Sequence, residues 1–171
     1  MRKINKKASV EMSFNTIFSI ILIIVFILAA VYGIKKFMNI SHCSQIGIFK
    51  NELQTEIDKA WAGSGEYIYA KTLTIPSSIT HICFGNKNIS STGEYKEYFR
   101  DFEYVGAPQN NFFFVPMAKA CDFKTSLIKH VNLEKTTSSL NPYCIPVVNG
   151  KVSIKLTKRI TDALVCIGDD C

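Results

Sequence analysis

The chain lacks charge where a soluble protein would carry it. Among its 171 residues, none from Phe14 to Ile34 is charged, and no proline occurs before Pro76. Cysteine is absent until Cys43, and glycine before Gly63 is limited to Gly33 and Gly47. Each absence excludes something. A helix broken early is excluded, because the usual breakers are missing. A chain of uniform solubility is excluded by the 21-residue uncharged run. No Gly-rich phosphate loop, nucleophile elbow or zinc-protease helix motif is present, and no C-x-x-C pair occurs. The chain offers no recognisable catalytic constellation and no implied cofactor, and it reads as a non-enzyme.

The uncharged run would form a helix of roughly 30 Å, which matches the hydrocarbon core of a bilayer. It reads as a transmembrane helix and makes the lipid bilayer the first partner. A cleaved secretory signal is the alternative. Its apolar core is typically about 7–15 residues with a small-x-small site behind it, and "ILAAVYGIKKF" has no clean site of that kind.

The formal net charge of +6 does not point to nucleic acid. Arg2, Lys3, Lys6, Lys7, Lys35 and Lys36 flank the membrane run, and after Asn39 there are 14 basic and 13 acidic residues. Flanking lysines are a topology and headgroup signal. The bias places the N-terminus in the cytoplasm. All six cysteines (Cys43, Cys83, Cys121, Cys144, Cys166 and Cys171) follow the membrane run. That confinement suits disulfides outside the cell, in a single-pass protein. Asn39 and Asn88 each begin an N-x-S sequon, compatible with the same exterior location.

Six cysteines allow fifteen pairings. Cys166 and Cys171 are close enough to pair locally, and Cys121 with Cys144 is a second option between neighbouring strands. His42-Cys43 and His81-Ile82-Cys83 together raise a zinc site or a Cys–His nucleophile. The competing reading, oxidised cysteines beside surface histidines, is the simpler one.

Beyond the membrane run the periodicity changes. Ile46, Phe49, Leu53, Ile57 and Trp61 recur at steps of three and four, which is one apolar stripe on a helix. Gly63 is a natural stop. The pattern predicts one helix over residues 9–62, on the order of 80 Å long. After Gly63 the runs "EYIYAKTLTIP", "SSITHICFG", "NNFFFVP", "SLIKHVNLE", "YCIPVVNGKVSIKLTK" and "ALVCIG" read mostly as strands. Asn149-Gly150 marks a hairpin turn. In "EYKEYFRDFEY" helical spacing competes. Phe112-Phe113-Phe114 reads as a buried strand rather than an exposed binding edge, and Tyr67 and Tyr69 share one strand face. The expected fold is α+β: a long N-terminal helix, transmembrane then amphipathic, packed on a mainly antiparallel β head. The segments are 1–8 (basic leader), 9–38 (transmembrane), 39–62 (amphipathic) and 63–171 (head).

This layout resembles type IV pilins and archaeal pilin-like proteins over residues 1–62. "KINKKASVEMSFNTIFSIILIIVFIL" is similar to their leader-plus-helix start. Ser9-Val10-Glu11-Met12 matches the Ser-x-Glu core of the archaeal pattern, and Lys6 and Lys7 match the basic leader. The resemblance implies cleavage after Ala8, so that Ser9 begins the mature chain, and it implies self-assembly or assembly with pilin-like partners. It assigns Glu11 the pairing of a neighbouring subunit's N-terminal amine. The sequence departs from the family in one respect: cleavage there makes Glu11 the third mature residue rather than the fifth, whereas counting back from Glu11 as the fifth puts Lys6, rather than Gly or Ala, before the cut. A second reading of Glu11 stands beside this one, as a first-turn acid favoured by the helix dipole and paired with Lys7.

Overall fold

The computed structural model describes residues 14–169 and 171. Lys6, Lys7, Ala8, Ser9 and Glu11 lie outside the described residues. The chain divides into two compact units, Met1–Ile40 and Ser41–Cys171.

Helix α1 runs from Phe14 to Ala62, in line with the absence of proline. In the first unit every described residue of α1 is exposed, from Phe14 to Ile40. This part is long and apolar enough to cross a membrane, and apolar side chains on all sides suit a lipid solvent. The hydroxyl of Ser19 donates back to the Asn15 carbonyl at 2.8 Å. A polar group within an apolar run is thereby satisfied locally.

The second unit begins with the rest of α1 and continues as a head of two antiparallel sheets. Strands β1 (Tyr67–Thr74), β6 (Lys151–Lys158) and β7 (Cys166–Ile167) form one sheet, in the order β1-β6-β7. Strands β4 (Thr125–Ser126), β3 (Phe112–Val115), β2 (His81–Phe84) and β5 (Tyr143–Pro146) form the other, in the order β4-β3-β2-β5. Helices α2 (Lys96–Tyr104) and α3 (Leu133–Thr136) complete the regular elements. The α+β arrangement expected from the sequence is the one observed.

The main core joins α1 to both sheets. Ile46, Phe49, Leu53, Ile57 and Ala60 are fully buried there, with Ile82, Phe84, Phe112 and Phe114 from the second sheet and Val152, Ile154 and Leu156 from the first. The other face of the second sheet carries Cys83, Phe113 and Cys144, which Phe99 and Phe102 of α2 cover. With both faces covered, all four residues of β3 are buried. A two-sided strand reads as an unbroken apolar run, which is why "FFFV" shows no alternation.

Three expectations need correction. Trp61 is not core: it is 41% exposed, and Ala60 takes the last buried position of the stripe. A one-residue step turns a helix by about 100°, enough to carry Trp61 to the edge of the contact. Cys121 does not pair with Cys144. It joins Cys43, while Cys83 joins Cys144. Strands β2 and β5 are neighbours with Cys83 opposite Cys144, whereas Cys121 sits in a short 3-10 turn. Cys166–Cys171 pairs locally. The Asn149-Gly150 turn forms, with φ of 52° and 68°, as such a two-residue turn requires. Val148 and Lys151 on either side of it exchange backbone hydrogen bonds of 2.8 and 3.0 Å as an antiparallel pair, so the expected hairpin turn is formed, while strands β5 and β6 beyond it enter different sheets. "SLIKHVNLE" gives only the two-residue β4 before an irregular path. There the Asn111 side-chain amide accepts from the Ile128 N–H at 2.8 Å and donates to its carbonyl at 2.9 Å. It supplies what a neighbouring strand would have supplied.

Candidate functional site

The residues singled out in the sequence separate into distinct places. Ile46, Phe49, Leu53 and Ile57 form the helix-to-head seam. Asn39 is exposed on α1, and Asn88 is exposed in the turn after β2. All six cysteines are in disulfides, so neither a thiolate nucleophile nor a thiolate metal ligand is available. His42 bonds the Lys119 carbonyl at 2.8 Å, and His81 shares a hydrogen bond with the Thr80 hydroxyl at 3.1 Å. Among the described residues no group of three or more His, Cys, Asp or Glu side chains is arranged to hold a metal.

Two arrangements escaped the sequence reading. The first is a clamp at the end of α1. Asp58 Oδ1 accepts from His130 Nδ1 at 2.9 Å and from Gln54 Nε2 at 2.7 Å. The Trp61 indole stacks on His130 and donates its N–H to the Ala163 carbonyl at 3.1 Å. Lys158 Nζ donates to the carbonyls of Trp61 and Gly63, which helix termination leaves without intrahelical partners. Long-range partners 72 to 102 residues apart leave no local signal. Every polar group named here is already engaged, and the clamp reads as structural.

The second is a cleft at the start of α2. Residues Tyr95, Tyr98 and Asp101 follow one another at steps of three, which places them along one side of the helix, while Phe99 and Phe102 turn into the sheet. The Tyr95 and Tyr98 rings stack with centroids 6.1 Å apart and planes 20° from parallel. The His81 ring lies 5.3 Å from Tyr95 and 6.1 Å from Tyr98. Burial lowers the pKa of His81, against an opposing pull from the Glu94 carboxylate. A hydrogen bond with Glu94 raises that of Tyr95. Beside Tyr98 opens an apolar cleft of about 260 Å³, lined by Tyr98, Asp101, Val115, Pro116, Met117 and Ala118. The step-of-three pattern in "EYKEYFRDFEY" was the available signal for it.

A larger hollow lies between α1 and β1, lined by Glu52, Glu56, Lys59 and Lys71 among others. Its charges are partly matched within the wall: Glu56 and Lys59 pair at 2.8 Å. In the α2 cleft the exposed Asp101 side chain has no hydrogen bond or ion pair among the described residues. No family model, curated protein or solved structure matches the chain.

Proposed function

We propose that this chain is a non-enzymatic, membrane-anchored cell-surface protein of the pilin type, a filament subunit or a minor component, with a cytoplasmic N-terminus and an external head. One observation carries the reading. A single helix, α1, exposes an uncharged, mostly apolar surface from Phe14 to Ile34 and then buries Ile46, Phe49, Leu53, Ile57 and Ala60 in a disulfide-bonded head. A soluble protein has no use for the first half, and a simple anchor has no need to build its helix into the core. The three disulfides favour an oxidising exterior. The leader-like "KINKKASVEM" supplies the rest.

In this reading Glu11 serves a neighbouring subunit. An amine freed by cleavage near Ala8 would lie close to hydrocarbon, where an unpaired charge is costly. A carboxylate from the next subunit offsets that cost and fixes the axial register. Crosslinking of wild type and Glu11→Gln in membranes at matched expression tests it. Reduced crosslinking between subunits, with insertion and head folding intact, is the expected outcome. Unchanged crosslinking favours a second reading, a single-pass protein whose head binds a partner without assembling. The α2 cleft is the observation that favours this second reading.

A further inference from the structure

We propose that the cleft beside α2 receives the side chain of an arginine carried by a partner polypeptide. Its size sets the scale of the occupant. Small-molecule sites usually enclose about 300–1,000 Å³, and this cleft, at about 260 Å³, falls below that range. It suits one long side chain rather than a whole ligand.

Its chemistry selects among side chains. Val115, Pro116, Met117 and Ala118 form an apolar wall suited to a methylene stem. Asp101 is the one acid in the lining. Its two oxygens are free to accept a pair of parallel N–H bonds, which is the match a guanidinium makes with a carboxylate. Tyr98, three residues before it on α2, also lines the cleft, and an aromatic ring beside a planar cation attracts it. A lysine ammonium is a compact, more strongly hydrated charge that neither stacks nor forks. A neutral polar ligand would need several directed partners, and the cleft supplies few. His81, behind the two tyrosines, is kept towards its neutral form by burial and adds no competing positive charge near pH 7. The proposal does not rest on the pilin reading; it deepens the second reading, a head that binds a partner, by naming the chemistry of that partner.

The test uses the full chain in detergent micelles, titrated with Nα-acetyl-argininamide and followed by NMR shifts of the Met117 methyl group. Nα-acetyl-citrullinamide, the neutral isostere, and Nα-acetyl-lysinamide serve as comparisons. Saturable binding of the arginine probe is expected, with both comparisons at least about fivefold weaker. Asp101→Asn keeps the shape of the side chain and removes its charge. It should weaken arginine binding by about tenfold or more, as loss of a charge-assisted hydrogen bond does, without altering the spectrum of the core. No saturable binding of the arginine probe overturns the proposal. So does citrulline or lysine binding as tightly as arginine, or an affinity unchanged in Asp101→Asn.

Discussion

The Trp61 indole lies flat on the His130 imidazole, with ring centroids 3.8 Å apart and planes 4° from parallel. His130 in turn donates to Asp58, one helical turn before Trp61. The loop carrying His130 is thus held between two residues of α1, with His130 at a φ of 65°. The Lys129 backbone is bound next to it through both ends of the Gln54 amide. An aromatic pair of this kind contributes about 0.5–1.5 kcal/mol beyond its area. A double-mutant cycle on Trp61→Ala and His130→Ala, read by denaturant unfolding, should return a coupling of that size. Additive losses would mean that the stacking contributes nothing of its own.

Removing apolar volume from the seam should cost far more than removing charge from its outer side. Leu53 is fully buried, and Glu52 beside it is exposed. Leu53→Ala should destabilise the head by about 2–5 kcal/mol, transfer and cavity terms together. Glu52→Ala should stay within about 0.5 kcal/mol of wild type. Chemical denaturation of the two variants separates them, and equal effects would mean that α1 does not share the core of the head.

The three disulfides should differ in what they contribute. Cys43–Cys121 closes a separation of 78 residues, Cys83–Cys144 one of 61 and Cys166–Cys171 one of 5. A crosslink constrains the unfolded chain more when the loop it closes is longer, and losing one costs about 2–5 kcal/mol. Paired Cys→Ser replacement at 43 and 121 should therefore lower stability more than the same change at 166 and 171. Alkylation of freshly isolated, non-reduced protein should label no cysteine, as mass spectrometry can read directly. Six labelled thiols would place the head in a reducing compartment.

His81 gives the head a pH dependence of definite sign. Burial lowers its folded-state pKa below the usual 6.5. The unfolded chain then takes up a proton before the folded one does. Stability from this source is full above pH 6.5, declines as pH falls from there through the folded value, and levels off below it. His81→Gln removes that titration. The stability difference between wild type and variant should be constant above pH 6.5 and should shift against wild type as the solution is acidified. Parallel pH profiles for the two proteins would mean that His81 is as solvated as a free histidine.

Much of this fold was legible because the strong signals were local or periodic. The uncharged run and the stripe of Ile46, Phe49, Leu53 and Ile57 announced both parts of α1, and Asn149-Gly150 announced its turn. What stayed hidden depended on partners distant in sequence. Cys121 found Cys43 because the 3-10 turn packs near α1, which no spacing reveals. Asn111 replaced a strand neighbour for Ile128, so the weak alternation of "SLIKHVNLE" never became a long strand. The candidate cleft was half visible: the pattern of Tyr95, Tyr98 and Asp101 lay in the sequence, but the apolar wall from Val115 to Ala118 did not.

The pilin-type reading is tested most directly by the N-terminus of the protein purified from its native membrane. Processing at the leader predicts a mature chain beginning within residues 7–9, with Ser9 as the start that follows a cut after Ala8. A chain that retains Met1 or Arg2 through Lys6 would contradict it and would leave Glu11 without a freed neighbouring amine to pair.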